Sequence, residues 1–352
     1  AWEFQIAHPN IFATFHYHNT GRLVMFQAPQ PIKRAQTAQA ASGPYGTGSR
    51  GMNVEQRLAE MKKENKYAQL FDRQVPREFQ HDLDVQTDIV TTGARILKNY
   101  RPVFGGLSGQ AHAAPYYMMG CYSYLIELWG TPTHDIDING DGRASDEEYM
   151  QWIDIEMTGE GWIVPRKFDH PDLGEVWIGG SPKKHMRRTP PDRYIEQEAD
   201  KNAKFVMYCV SQFPKVEVDD IVTTDLGDGL FWVDVTVKND MSYPTASDRA
   251  KKLKLWDQDV VTLNTSKGVS VIKLDAKLPI QDPYQSSNRG FFGRGGGSGG
   301  LTPATDIETK LWVNGKSQKT VRYLVKATGG KNWVEAKIKS VRGGEDIMKI
   351  EL

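Results

Sequence analysis

The stretch Tyr-Leu-Ile-Glu-Leu-Trp at residues 124–129 is an apolar, aromatic run with a single carboxylate, Glu127, inside it. Its length and its aromatic and branched residues predict a short buried β-strand. A carboxylate in such a strand is costly unless it has a partner or a chemical role. Glu127 is therefore the first residue in the chain that requires an explanation.

A second predicted strand lies upstream, where residues 15–25 read Phe-His-Tyr-His-Asn-Thr-Gly-Arg-Leu-Val-Met. His16 and His18 share one face of this strand, because side chains two positions apart point the same way. A neutral imidazole can hold Zn²⁺, and a carboxylate can take a proton from a metal-activated water. A metal-dependent hydrolase needs both groups, so we interpret the two strands as halves of one site.

The two strands resemble the third zinc ligand and the general base of the zinc carboxypeptidases, the carboxypeptidase A-like metallopeptidase family. Three other segments are similar to the large bacterial branch of this family: the His-Pro-Asn-Ile run at residues 8–11, residues 168–180, and a predicted helix over residues 196–210. The resemblance covers most of residues 1–214. It implies an α/β fold with part of a carboxypeptidase-like mixed sheet flanked by helices.

The resemblance also implies roles for individual residues. His18, which lies just before the glycine, is implied to be a zinc ligand, with His16 as the alternative. Glu127 is implied to be the general base, which takes a proton from water and passes it to the leaving amine. The implied substrate is a peptide or protein cut at its C-terminal bond, in an extracellular or periplasmic location. We expect His18 and Glu127 to line one cleft, within about 5 to 8 Å of each other.

The sequence departs from the family in two places. The family takes two further zinc ligands from a His-x-x-Glu pair well ahead of the third ligand, and residues 1–17 contain no such pair. We therefore interpret the chain as the C-terminal portion of such a protein, and we expect a companion chain or N-terminal fragment to complete the sheet. The family's Asp-Trp-x-Tyr reads Ala-Ala-Pro-Tyr at residues 113–116, which makes Tyr116 the candidate substrate-binding residue. The catalytic phenol stays open among Tyr100, Tyr116 and Tyr117.

Residues 137–148 read Asp-Ile-Asn-Gly-Asp-Gly-Arg-Ala-Ser-Asp-Glu-Glu and match a twelve-residue calcium loop at each constrained position. An acidic surface turn is the plain alternative. Because no helix is predicted ahead of the loop, we favour a single structural Ca²⁺ site over a paired sensor. The expected oxygen ligands are those of Asp137, Asn139, Asp141, Arg143 through its carbonyl, Ser145 and bidentate Glu148.

The pattern changes after residue 214. Residues 231–238 alternate apolar and polar side chains, which is the period of a half-buried strand. Five similar strands are predicted near residues 269–274, 311–313, 321–327, 333–340 and 346–352. Asn-Gly and Gly-Gly turns separate them, and this spacing favours an all-β immunoglobulin-like sandwich. The expected domains are residues 1–214 and residues 215–352.

Composition excludes several classes of protein. The 352 residues carry 44 basic and 44 acidic side chains, so no global field favours nucleic acid. The apolar runs are too short to predict a transmembrane helix. Cys121 and Cys209 are too few for a disulfide framework, and both are predicted to be buried free thiols. The glycine-rich residues 290–300 lack the lysine of a phosphate-binding loop.

Two functions from other classes stay open. A catalytically inactive protein can keep the peptidase fold for assembly or ligand binding, and the replaced Asp-Trp pair favours this reading. A calcium-dependent surface-binding module, carried by the sandwich, is the other. A complete gene without a His-x-x-Glu pair would indicate the first function, and calcium-dependent retention on a polysaccharide or partner would indicate the second.

Overall fold

The structure is a computed structural model that divides into two compact units. We call Ala13–Tyr117 with Tyr122–Tyr208 the His18 unit, and Ala1–Phe12, Met118–Cys121 and Cys209–Leu352 the C-terminal unit. The two units are considered separately below. The described residues are 2–8, 10–27, 77–98, 100–104, 111–130, 138–141, 145–157, 161–183, 188–274 and 301–352.

The described part of residues 1–211 alternates between helices and strands. The helices are α1 (Trp2–Ala7), α2 (Gln80–Leu97), which follows the 3₁₀ turn Arg77–Phe79, α3 (Ala113–Met119), α4 (Asp146–Met157) and α5 (Asp192–Ser211). The strands are β1 (Ala13–Asn19), β2 (Leu23–Phe26), β3 (Arg101–Phe104), β4 (Tyr122–Leu128), β5 (Trp162–Ile163), β6 (Arg166–His170), β7 (Gly174–Ile178) and β8 (Ser181–Pro182).

A mixed four-stranded sheet in the order β1-β4-β2-β3 is the centre of the His18 unit. Strand β4 is parallel to β1 and antiparallel to β2, and β2 is parallel to β3. Two separate hairpin-like pairs, β5 with β8 and β6 with β7, follow along the chain. The predicted α/β class is therefore confirmed at the level of a mixed sheet with helices.

One face of this sheet packs against α5. Phe15 of β1 and Tyr124 of β4 stack at 5.6 Å, and Phe205 of α5 meets both rings edge-on at 6.2 and 6.3 Å. A Cβ atom at Gly93 of α2 would overlap the Phe205 ring, so only glycine permits this close packing. This apolar face lies opposite the face that carries Glu127, because side chains alternate along β4.

Helix α2 begins earlier than the sequence indicates. The sequence predicts a helix near residues 87–100, between Asp84 and Pro102, whereas α2 starts at Gln80 and ends at Leu97. Its first turns contain polar residues that do not read as a buried face, yet Asp82 is fully buried. The Asp82 carboxylate accepts hydrogen bonds from the hydroxyls of Tyr116, at 2.8 Å, and Tyr122, at 3.1 Å, which compensates for its burial.

Nine of the ten helices and strands in the described residues after 211 are strands. The elements are β9 (Val216–Gly227), β10 (Leu230–Asn239), α6 (Asp248–Leu253), β11 (Asp259–Thr265), β12 (Val269–Ile272), β13 (Leu301–Pro303), β14 (Glu308–Leu311), β15 (Ser317–Ala327), β16 (Trp333–Ser340) and β17 (Gly344–Glu351). They form two sheets, one in the order β12-β15-β10-β9 with β13 beside β15, and one in the order β14-β11-β16-β17.

The inward-facing residues of both sheets belong to one apolar core. Val233, Val235 and Val237 of β10 are fully buried, as the alternation in residues 231–238 predicts. Val334, Ala336 and Ile338 contribute the same alternation from the other sheet. The C-terminal all-β region is therefore confirmed.

Five further expectations come from the sequence. Cys121 and Cys209 are both buried and free, as predicted. No helix in the described segments is long and apolar enough to cross a membrane. The sequence also predicts a helix near residues 54–70, and this segment and the glycine-rich residues 290–300 lie outside the described residues. The domain boundary predicted after residue 214 stays a prediction.

Candidate functional site

The register of β1 and β4 brings His18 and Glu127 together. The two residues are direct partners in the parallel ladder, so their side chains leave the sheet on the same face. Nδ1 of His18 lies 3.3 Å from Oε1 of Glu127. Two residues separated by more than a hundred positions in sequence therefore form one acid–base pair at the ends of adjacent strands.

The two members of this pair differ in exposure. The Glu127 side chain is 14% exposed, whereas the His18 side chain is 67% exposed. Because Nδ1 faces the carboxylate, Nε2 is the imidazole nitrogen left to bind another group. A histidine whose one nitrogen donates to a carboxylate and whose other nitrogen is open is the usual arrangement for a metal-binding imidazole.

The separation of the pair is shorter than the sequence-based expectation. We expected about 5 to 8 Å, a span that a metal and its water could bridge, and that value is wrong for this geometry. Neighbouring strands are spaced about 4.8 Å apart, and both side chains lean along the same face towards each other. The measured 3.3 Å is a direct ion-pair or hydrogen-bond contact.

Two other histidines, His16 and His112, lie close together further along the same face. His16 is half-buried, and its Nε2 is 3.2 Å from Oγ1 of Thr14. The ring of His112 lies edge-on to His16 at 6.4 Å, and its Nε2 is 2.7 Å from the Gln27 amide nitrogen. Burial lowers the pKa of His16, and burial together with the nearby His16 lowers the pKa of His112 to about 4. His112, which reads as a loop residue in the sequence, is thus a buried neutral imidazole.

The three candidate tyrosines occupy different environments. Tyr116 is fully buried and donates to Asp82, on the side of the sheet away from Glu127. Tyr100 is also fully buried, and its hydroxyl donates to Glu198 at 2.7 Å. Tyr117 is partly buried, with its ring edge-on to Tyr116 at 5.6 Å. The structure does not bring Tyr116 together with His18 and Glu127, and its substrate-binding role stays a prediction.

The side chains of the pair fit part of a zinc site, namely one ligand and the general base. His18 supplies an imidazole nitrogen, and Glu127 supplies a carboxylate beside it, which are ligand and base types that zinc hydrolases use. Within the described residues, no group of three or more His, Cys, Asp or Glu side chains is arranged to hold a metal ion. Further zinc ligands would have to come from other residues.

The predicted calcium loop is described in part. Asp137 and Arg143 lie outside the described residues, whereas Asn139, Asp141 and Ser145 are exposed and Glu148 is buried. The Glu148 carboxylate accepts three backbone N–H bonds, from Ile138 at 2.9 Å, Asn139 at 3.0 Å and Ser145 at 2.9 Å. These bonds, the Ser145 bond first, lower the pKa of Glu148.

Ser145 and Glu148 also begin helix α4 together. The Ser145 hydroxyl accepts from the Glu148 N–H at 3.1 Å, and Glu148 accepts from the Ser145 N–H in return. This reciprocal arrangement is a capping box. The Asn139 side chain accepts from the Asp141 N–H at 2.9 Å, which tightens the turn. The oxygen donors fit a hard cation in type, and a cation would compete with three N–H groups for Glu148.

A buried network behind the pair has no sequence signal. Arg22 lies 3.5 Å from Glu198, which Lys201 and Tyr100 also contact. Trp129 donates its N–H to the Tyr100 hydroxyl at 3.4 Å. These residues come from positions 22 to 201, and each alone is compatible with an ordinary surface or core role, so sequence reasoning missed the cluster.

Comparison with known protein families gives a match for the C-terminal part of the chain. Residues 215–351 match the model of a family described as a domain of unknown function, DUF8731. The matched segment begins at the first residue of the predicted second domain. No curated protein matches the chain.

Proposed function

We propose that this chain is the C-terminal portion of a zinc metallocarboxypeptidase-like protein, which hydrolyses C-terminal peptide bonds. The observation that carries the proposal is the in-register contact between His18 and Glu127 at the ends of two parallel strands. An exposed imidazole with one open nitrogen beside a largely shielded carboxylate suits a ligand and a base. The resemblance of residues 1–214 to the family supports the same assignment.

Each residue of the pair has a distinct task in this proposal. His18 would hold Zn²⁺ through its open nitrogen, and bound zinc would supply Lewis acidity that activates water and polarises a carbonyl. Glu127 would receive the proton of that water and deliver it to the leaving amine. The contact between the side chains would orient the imidazole, because Nδ1 faces the carboxylate.

The proposal includes a companion segment that completes the sheet and the zinc site. Among the described strands, β1 stands at one end of the four-stranded sheet and pairs with β4, and a strand at the end of a sheet can accept a further strand. An additional strand on that edge would lie next to His18. We further propose that the C-terminal all-β region has an immunoglobulin-like sandwich topology, supported by its two sheets and single core.

We also propose that residues 137–148 bind Ca²⁺ as a structural ion. Asn139, Asp141, Ser145 and Glu148 supply oxygens, and the N–H groups of described residues on both sides of Asp141 already converge on the Glu148 carboxylate. The role would be to order the loop and the first turn of α4, because Glu148 joins both.

Hydrolysis by the protein expressed from its complete gene tests the enzymatic proposal. A blocked dipeptide should release its C-terminal amino acid, a zinc chelator should stop the release, and added Zn²⁺ should restore it. His18→Gln should abolish the activity. His8→Gln should not, and it serves as the control because it changes the exposed histidine that directly follows α1. Release that persists in chelator, or equal rates for the two variants, would contradict a zinc site at His18.

An inactive peptidase-fold protein is the second candidate, and one observation favours it. The Tyr116 hydroxyl is occupied by a buried carboxylate, Asp82, rather than presented beside Glu127. Such a protein would keep the sheet for assembly with a partner. Absence of hydrolysis in the complete protein, together with a stable complex with a companion chain, would indicate this function.

A further inference from the structure

The carbonyl oxygen of Trp129 joins the ends of the two strands that carry His18 and Glu127. Trp129 follows β4 directly, and its carbonyl accepts from the N–H of Gly21 at 2.7 Å and of Arg22 at 2.9 Å. The hydroxyl of Thr20 donates to the same oxygen at 3.0 Å. All three donors lie in the turn that follows β1, so this one acceptor fixes the turn against β4.

The indole ring of Trp129 is held by three other elements. Trp129 is 1% exposed and shares a buried cluster with Tyr149, Trp152 and Ile153 of α4. The ring of Tyr194 on α5 lies 5.5 Å away. The Arg22 guanidinium is 4.9 Å from the indole centroid, which is within the range of a cation–π contact.

Arg22 and the backbone of Trp129 are both connected to α5 through Glu198. Arg22 lies 3.5 Å from Glu198, and the Tyr100 hydroxyl donates to Glu198 at 2.7 Å while it accepts from the Trp129 N–H at 3.4 Å. The Arg22 and Glu198 side chains are only 12% and 9% exposed. This buried network therefore restrains Trp129 from both sides, through its ring and through its backbone.

Trp129 and Arg22 also adopt backbone conformations that are unusual for their residue types. Their φ angles are +53° and +50°, in the left-handed region that favours glycine. Bulky residues are kept there only when their surroundings determine the conformation, and such positions concentrate at functional sites. Gly130 would offer this freedom one position later, yet the tryptophan adopts the positive φ.

We propose that Trp129 is a positioning residue, which holds His18 and Glu127 in contact by tying the turn after β1 to the end of β4. The inference deepens the proposed function and takes its catalytic meaning from it. Trp129 acts through Thr20, Gly21 and Arg22 in the turn after β1 and through its covalent link to Leu128 at the end of β4.

The test uses the full chain and reads the state of the His18 ring. Trp129→Gly removes the indole but suits the positive φ, Trp129→Phe restores an aromatic ring, and Trp177→Gly removes a tryptophan that is 66% exposed on β7. Side-chain ¹⁵N chemical shifts of His18, measured at one pH and assigned with His18→Gln, report the contact at Nδ1. The reference for a broken contact is Glu127→Gln.

The expected result is a clear order among these variants. In Trp129→Gly the His18 Nδ1 shift should move towards that of Glu127→Gln, Trp129→Phe should recover most of the parent shift, and Trp177→Gly should match the parent. A folded Trp129→Gly with the parent shift would overturn the proposal. If Trp129→Gly does not fold, Arg22→Met decides: a displaced His18 shift supports the proposal and a parent shift overturns it.

The outcome separates this inference from the proposed function, because the readout needs neither zinc nor peptide. Should the complete protein prove to be no peptidase while the His18 shift still depends on Trp129, the positioning role stands and the function fails. Should the protein be active, Trp129→Gly should lower kcat roughly 10- to 100-fold with little change in KM, and Trp129→Phe should recover it. Unchanged kcat would overturn the positioning role alone.

Discussion

Each unit of this protein contains an acid–base pair on adjacent strands in register, and the two pairs are built differently. In the C-terminal unit Asp234 faces Arg322, whose Nε and terminal nitrogen donate to both carboxylate oxygens at 2.7 and 2.6 Å. In the His18 unit Glu127 faces His18 through a single contact of 3.3 Å. The carboxylates are similarly shielded, at 17% and 14% exposure.

The difference lies in the cationic partner. Arg322 is 9% exposed, and its bidentate fork donates to both oxygens of Asp234, so that little of the pair is open to other molecules. His18 is 67% exposed and leaves one ring nitrogen and one carboxylate oxygen of the pair outside their mutual contact. A closed pair stabilises a sheet, whereas an open pair can bind or transfer a proton. The comparison therefore indicates a structural role for the Asp234–Arg322 pair and agrees with the chemical role proposed for the His18–Glu127 pair.

The largest expected effect is on peptide hydrolysis, which should depend on the His18–Glu127 pair and not on the Asp234–Arg322 pair. Glu127→Gln in the complete protein should reduce peptide hydrolysis by about 10²- to 10⁴-fold, because the proposed general base is lost. Asp234→Asn should leave hydrolysis within about twofold of the parent, since its pair has no part in the chemistry. Initial rates with a blocked dipeptide measure both. Equal losses in the two variants would erase the distinction between an open and a closed pair.

Stability should respond in the opposite order. Arg322→Met leaves Asp234 largely buried without its partner and should lower the free energy of unfolding by about 3 kcal/mol. His18→Gln removes an exposed partner and should cost less than about 1 kcal/mol. Urea denaturation of the two variants and the parent checks this. A His18 variant that loses more stability than the Arg322 variant would indicate a structural role for the open pair.

Acidification should lower the stability of the His18 unit through protonation of His112. Its pKa is lowered to about 4 in the folded protein from the ordinary 6.5, so the unfolded chain binds a proton more readily. Folding stability should therefore fall as the pH drops from 6.5 towards 4, where protonation also removes the Nε2 acceptor that faces the Gln27 amide. In His112→Gln, the melting temperature should depend less on pH between 6.5 and 4, as measured by thermal melts at a series of pH values. A parent and variant with the same pH slope would show that His112 does not cause it.

The calcium loop should show the smallest effect on the pair. Glu148→Gln should lower the melting temperature in calcium-containing buffer and weaken Ca²⁺ binding, because the charged ligand at loop position twelve is lost. The His18 and Glu127 side chains should stay in place. Asp154→Asn on the same helix is a matched control, since it changes one acid outside the loop. Identical melting temperatures of the parent with calcium and with chelator would contradict a structural ion.

Much of the fold follows from local sequence patterns. The alternation in residues 231–238 predicts β10, and the period-two pattern of residues 333–340 predicts β16, because one buried face imposes that period. The start of α2 did not follow, since Asp82 is buried through a tertiary contact with two tyrosines. Such compensation is invisible in a local window.

The candidate site was also predictable only as far as local sequence and the family resemblance allow. His18 and Glu127 could be paired from their strands and from the family resemblance, and the strand register brings them together. Their 3.3 Å separation could not be predicted, because it depends on side-chain directions at a parallel ladder. The Trp129, Arg22 and Glu198 network was missed because its members are scattered along the chain and meet only after α5 packs.

Zinc content tests the central claim most directly. The protein expressed from its complete gene should be purified, dialysed against excess Zn²⁺ and then against metal-free buffer, alongside His18→Gln and Glu127→Gln, and its metal measured per chain. We expect one zinc ion per parent chain, a similar content in Glu127→Gln, and loss of zinc in His18→Gln, because only His18 is proposed as a ligand. A parent without zinc, or a His18→Gln variant that keeps it, would contradict the account.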